Sequence, residues 1–174
     1  MASAAHIVYD MMERQATKED LRNTPAKPIP KDTVKTTAKF VISEDSQGYL
    51  IGKHGLFTKQ LEDKGIYMHC GKERNNDALR SREAVCSLTG TLQAIESATD
   101  LIVRRLSSYY ESSGKDYREV PLAVLIPYNL VTKIIGAGGC LIKDLVMKTG
   151  AQIRVNSSKS DPYTEEIVVT IDGT

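Results

Sequence analysis

A repeated glycine turn constrains this chain more than any other feature. The segment Tyr49-Leu50-Ile51-Gly52-Lys53-His54-Gly55-Leu56-Phe57-Thr58-Lys59-Gln60-Leu61 aligns with Lys133-Ile134-Ile135-Gly136-Ala137-Gly138-Gly139-Cys140-Leu141-Ile142-Lys143-Asp144-Leu145. In both, two apolar residues precede Gly-x-x-Gly, a lysine (Lys59, Lys143) follows four residues after the second glycine, and a leucine comes two further on. A β-rich run lies upstream of each copy, at residues 38–42 and 120–126. Downstream come a glycine (Gly65, Gly150), an alternating run, a polar loop and a second alternating run ending in Gly-Thr. One Gly-x-x-Gly is usually an ordinary turn. Agreement in order over two long segments is an internal repeat, and each unit must fold the same way.

Each unit can be read locally. Alternation of apolar and polar residues predicts strands at residues 39–43, 66–71 and 85–89, and again at 122–126, 152–156 and 167–171. Helical spacing fits Leu56, Phe57, Gln60, Leu61 and Lys64 with Gly65 as the stop, and Leu141, Ile142, Leu145 and Val146 with Gly150 as the stop. A short helix is expected before each glycine turn, over about residues 127–135 in the second unit, where Pro127 suits a first turn. Thr91 is a candidate N-cap for a long helix whose apolar stripe is Leu92, Ile95, Ala98, Ile102, Leu106 and Tyr109. The order in a unit is strand, helix, Gly-x-x-Gly, helix, strand, loop, strand, helix.

This order and these motifs resemble the type I KH domain, with its Ile-Gly-x-x-Gly-x-x-Ile pattern, over roughly residues 36–111 and 119–174. The second copy, through Thr149-Gly150-Ala151-Gln152-Ile153, is the closer match and looks like modules of the poly(C)-binding and Nova-type tandem KH proteins. The first departs from the pattern at Thr58, where an apolar residue is usual, and its second helix reaches glycine one residue early. The resemblance implies an α+β fold: two tandem modules, each a three-stranded antiparallel sheet packed on helices, the second lacking its final helix. It also implies single-stranded RNA as partner, with single-stranded DNA the alternative, because KH grooves in the family accept both.

The physical basis is simple. Two helices meeting at a four-residue turn leave little room for side chains, and a bare backbone lets a phosphodiester chain come close. N–H groups at the start of the following helix favour an anion. Candidate RNA-binding residues are therefore Gly52, Lys53, His54, Gly55 and Lys59 in the first unit, with Arg74 from a loop that also carries Lys72, Arg80 and Arg82. In the second they are Gly136, Ala137, Gly138, Gly139 and Lys143. By resemblance, Val131, Ile134, Ile135, Ile142, Ile153 and Val155 wall an apolar groove for bases, and Arg154 at its rim is the candidate for base-edge hydrogen bonds. Phosphate contacts position the strand; edge contacts select the sequence. The second turn has fewer cations, so weaker salt dependence is expected there.

Composition narrows the alternatives. Net charge is only +1, so nucleic-acid binding must be argued from local sites. The apolar runs are too short to span a bilayer, and residues 1–6 do not read as a secretory signal, which leaves nucleus and cytoplasm as the expected locations. Cys70, Cys86 and Cys140 are widely separated and odd in number, as expected of reduced packing residues. His6, His54 and His69 form no ligand pattern, so no metal or other cofactor is expected. Gly136-Ala137-Gly138-Gly139 lacks the Gly-Lys-Ser/Thr of a phosphate-binding NTPase loop, and no enzyme is expected. The rival reading is a protein-interaction or dimerisation scaffold that keeps the fold and leaves the groove unused.

Residues 1–35, with Pro25, Pro28 and Pro30, read as a flexible lead-in containing a short helix around Ile7, Val8, Met11 and Met12. The linker, residues 112–118, is short. In related tandem proteins that accompanies back-to-back packing of the modules, which is expected here; a homodimer is the intermolecular version. Gly173-Thr174 corresponds to Gly90-Thr91, and the expected next helix is absent, as in a fragment of a longer protein or a chain with a disordered end. The N-terminal helix or a neighbouring copy is the candidate substitute.

Overall fold

A computed structural model describes Ile7 and residues 34–71, 82–114, 122–156 and 166–172. The first unit runs β1 (Lys35–Ser43), α1 (Glu44–Ile51), a single 3-10 turn (Lys53–Gly55), α2 (Leu56–Glu62), β2 (Tyr67–Gly71), β3 (Glu83–Thr91) and α3 (Leu92–Ser112). The second repeats this order as β4 (Leu122–Pro127), α4 (Tyr128–Ile135), a 3-10 turn (Ala137–Gly139), α5 (Cys140–Thr149), β5 (Gln152–Asn156) and β6 (Glu166–Asp172). The α+β architecture with antiparallel strands agrees with the sequence reading.

Local signals account for most boundaries. Thr91 caps α3, its side-chain oxygen accepting from the Ala94 N–H at 3.3 Å. Glu44 and Asp45 sit in the first turn of α1, where the positive end of the helix dipole favours carboxylates. Gly150 ends α5 in the left-handed conformation, its N–H donating to the Val146 carbonyl at 2.8 Å. Two expectations need adjustment. β1 starts at Lys35, because Lys35, Thr36 and Thr37 continue the ladder opposite Thr91, Gly90 and Thr89. In the last turns of α3, Tyr110 is buried rather than Tyr109, which packs its ring on Tyr49 at 5.3 Å.

The six strands among the described residues form one sheet in the order β2-β3-β1-β4-β6-β5. Within each unit the pairing is equivalent: Phe40 faces Cys86 as Val124 faces Val169, and Met68 faces Leu88 as Ile153 faces Ile171. The units join through β1 and β4, antiparallel, with Lys39 opposite Leu125, Phe40 opposite Val124 and Val41 opposite Ala123. Phe40 and Val124 are equivalent positions facing each other, so a pseudo-twofold axis passes between them. Packing between the modules was expected back to back; it is instead edge to edge, through main-chain hydrogen bonds.

Because side chains alternate along a strand, this register gives the whole sheet one apolar face. Phe40, Ile42, Cys86 and Leu88 share it with Val124, Ile126, Val169 and Ile171, and all of these are buried. The opposite face is largely polar. There Thr37 and Thr89 hydroxyls meet at 2.9 Å, and Lys39 Nζ lies 2.9 Å from Glu166 Oε1 across the joint. Leu125 is buried on that same face, which fits the uninterrupted apolar run of β4.

No helix follows β6 among the described residues, yet the apolar face of the second unit is not bare. Val169 and Ile171 are only 1% and 2% exposed. Ile7, helical and 0% exposed, belongs to the same core cluster. An N-terminal residue therefore belongs to the core that both units share. Truncating Ile7 to Ala should lower unfolding free energy by about 2–5 kcal/mol, as for other fully buried large aliphatics. Chemical denaturation measures it; a change within about 0.5 kcal/mol, the size typical of surface sites, would show that Ile7 contributes no core packing.

Candidate nucleic-acid interface

The two glycine turns are superimposable in their backbone angles. Gly52 and Gly136 have φ/ψ of 79°/168° and 75°/172°, a region essentially closed to residues with a Cβ. Gly55 and Gly139 are left-handed, at 70°/25° and 77°/17°. Between them His54 (φ 52°, ψ 26°) occupies the conformation that Gly138 (φ 59°, ψ 18°) adopts in the second turn. The first glycine is also held by packing: a Cβ on Gly136 would lie 2.6 Å from Leu141 Cγ. A Cβ on Gly138 would meet nothing within 4 Å.

The turns stand at the surface. Lys53 and His54 are exposed, as are Ala137 and Gly138. Lys59 and Lys143, one turn into the following helices, are exposed too. Thr58, the departure from the motif, has a local role: its hydroxyl donates to the Gly55 carbonyl at 2.6 Å and braces the turn from inside the helix. Ile142, its counterpart, is half-buried.

Beside each turn runs an edge strand with two half-buried apolar residues on the helix side. In the second unit these are Ile153 and Val155, with Ile135 and Ile142 half-buried on the helices opposite. Ile134, expected as a core residue first and a wall second, is only 2% exposed, and Val131, expected in the same wall, is buried too at 8%. In the first unit the corresponding strand positions are Met68 and Cys70, which the sequence reading did not select. Register alone identifies them: each faces the β3 residue equivalent to the partner of Ile153 or Val155. Cys70 Sγ lies 2.9 Å from Cys86 Sγ. The hydrogen bond between the two thiols pulls Cys70 below its ordinary pKa, while the same contact and burial push Cys86 far above. The Gln47 side chain ties α1 to β2 through the Cys70 carbonyl at 3.1 Å.

Arg154 sits elsewhere. It projects from β5 onto the polar face, opposite to Ile153 and Val155, and pairs with the Asp172 carboxylate. To reach a base in the groove it would have to release that partner and swing round the sheet edge. Arg74, with Lys72 and Arg80, lies outside the described residues. Among the described residues no group of His, Cys, Asp and Glu could hold a metal ion, and no helix is long and apolar enough to cross a membrane.

A tandem α+β protein with paired Gly-x-x-Gly turns is thus defined by its fold. The KH domain family pattern matches residues 37–104 and 122–174, and the chain belongs to that family. It is 24% identical over 145 residues to the RNA-binding protein Pasilla of Drosophila melanogaster, covering 78% of this chain and 18% of that protein. It is 25% identical over 171 residues to a Tudor and KH domain-containing protein homolog of Bombyx mori, covering 98% of this chain and 24% of the relative. The chain therefore spans under a quarter of either relative. A solved chain from the a/eIF2alpha-aDim2p-rRNA complex of Pyrococcus horikoshii OT3 is 16% identical. It covers 82% of this chain and 79% of that one with a TM-score of 0.31, too low to carry an argument.

The contrast between the glycines is measurable. Gly136→Ala should cost about 2 kcal/mol or more of stability, combining a forbidden backbone region with overpacking against Leu141. Gly138→Ala should cost about 1 kcal/mol, from the left-handed conformation alone. Denaturant unfolding of the two variants checks this; equal costs would mean that Leu141 does not close the turn.

Proposed function

We propose that the chain binds single-stranded RNA sequence-selectively through both glycine turns and their adjoining apolar grooves, in post-transcriptional regulation. The observation that carries this reading is the pair of exposed glycine turns with equivalent backbone angles, each beside a half-buried apolar strip on an edge strand. A phosphate backbone would follow the turn, with Lys53 and Lys59 adding positive charge at the first site and Lys143 at the second, and with the His54 ring exposed beside Lys53. Gly52, Gly55, Gly136 and Gly139 shape the two cradles, and Ala137 and Gly138 keep the second one open. Bases would lie against Ile135, Ile142, Ile153 and Val155, or against Met68 and Cys70.

Family membership supports nucleic acid as the ligand, and the poly(C)-binding and Nova-like resemblance of the second motif supports a single strand. No chemistry is asked of the site, so the proposal includes no enzymatic step. Nucleus and cytoplasm remain the proposed locations, where such RNAs are handled. Single-stranded DNA is the competing ligand in any titration.

Placing Asp at both central turn positions, Lys53→Asp with His54→Asp or Ala137→Asp with Gly138→Asp, aims two carboxylates at the phosphates and spares the flanking glycines. His54 already adopts the left-handed conformation that Gly138 shares, so the second turn should accept the change. RNA affinity should fall at least about tenfold per disabled site, roughly 1.4 kcal/mol. Folded variants that bind short RNA as well as the parent would instead favour the scaffold.

The sheet order adds a demand on the ligand. β2 and β5 are the two outer strands, five inter-strand steps apart, about 24 Å. The pseudo-twofold axis makes the two grooves run in opposite directions, so one RNA must turn back to fill both. Two motifs joined by a long flexible spacer should bind about a hundredfold more tightly than either alone, through effective concentration. The same motifs placed end to end should gain little. Equal gains for both RNAs in fluorescence titrations would refute the opposed arrangement of sites.

A further inference from the structure

Arg105 is a cation outside both glycine turns. It lies on α3, the last helix of the first unit, and reaches back to the glycine turn. Its Nε donates to the Tyr49 carbonyl at 2.9 Å. Its guanidinium carbon stands 5.1 Å from the Tyr49 ring centroid and 4.8 Å from that of Phe57. A Cβ on Gly52 would come within 3.0 Å of its Nη2. Tyr49 belongs to the closing turn of α1 and Phe57 to the opening turn of α2, so one side chain touches the turn and both helices flanking it.

We propose that Arg105 is a positioning residue for the first phosphate-binding turn, holding the end of α1 against the start of α2 and offsetting the negative end of α1 where a polyanion must approach. Two physical effects support this. The terminal carbonyls of a helix lack intrahelical donors and carry the negative end of its dipole. A charged donor on the Tyr49 carbonyl satisfies one of them. A planar guanidinium against two aromatic rings also has a fixed orientation that a lysine ammonium would not reproduce. The second turn is packed by a different kind of residue. Leu141, in the place of Phe57, packs directly against Gly136, and Lys133 stands where Tyr49 does.

This inference rests on the RNA reading of the first turn and is tested apart from it. The parent is the full chain carrying Ala137→Asp and Gly138→Asp, so that only the first turn is competent. It is titrated with a short random-sequence single-stranded RNA pool at several salt concentrations, and each variant's folding is followed by thermal unfolding. Arg105→Met and Arg105→Gln should each weaken binding about tenfold, the scale of losing a charged hydrogen bond, and should flatten the salt dependence. Arg105→Lys should keep the salt slope and recover part of the affinity, an outcome that mere packing would not give. Folded Met and Gln variants that bind like the parent would overturn the proposal while leaving the RNA reading intact. A parent that binds no RNA would remove the reading of the first turn, and this proposal with it.

Discussion

At Gly136 the backbone angles exclude a side chain, and the space one would fill is taken by Leu141. That double exclusion governs the site. It lets α4 and α5 meet at a four-residue corner, and it leaves that corner without bulk on the solvent side. Gly52 has the same backbone angles, with Arg105 rather than a leucine packed behind it. The two corners have one geometry and different supports, so mutation should affect them differently.

The corners matter because of where the sheet puts them. Pairing of β1 with β4 turns two three-stranded sheets into one of six strands and pushes the groove-forming strands to its outer edges. The joint is made of ladder hydrogen bonds and is supported on the polar face by Lys39 and Glu166. Such a partly exposed pair contributes about 1 kcal/mol or less. The stronger constraint is the apolar face: slipping β4 by one residue would turn Val124 and Ile126 away from the core, so the register is specified by burial. The same register places Phe40 against its own equivalent and generates the pseudo-symmetry.

Much of this was legible in the sequence because it is local. The repeat exposed the element order, Thr91 announced α3, and Gly150 marked the end of α5. What escaped depended on contacts between distant segments. Residues 35–37 carry no apolar alternation and become strand only because β3 lies alongside. Met68 and Cys70 enter the candidate groove through their register with β3. Arg105 meets Tyr49 across 56 positions of sequence, a contact that exists only once α3 has folded over α1. Arg154 read as a rim residue because strand alternation assigns it a face, but not the carboxylate of Asp172 waiting on that face.

The central claim is that the two glycine corners, and not the open polar face, receive a sugar–phosphate chain. Amide chemical shifts of the isotopically labelled chain, followed as single-stranded RNA is added, address this directly. The account predicts saturable shifts confined to residues 52–57 and 136–141 and to the edge strands β2 and β5. Shifts centred on Thr37, Thr89 and Thr170 of the polar face, with the glycine corners unmoved, would contradict it.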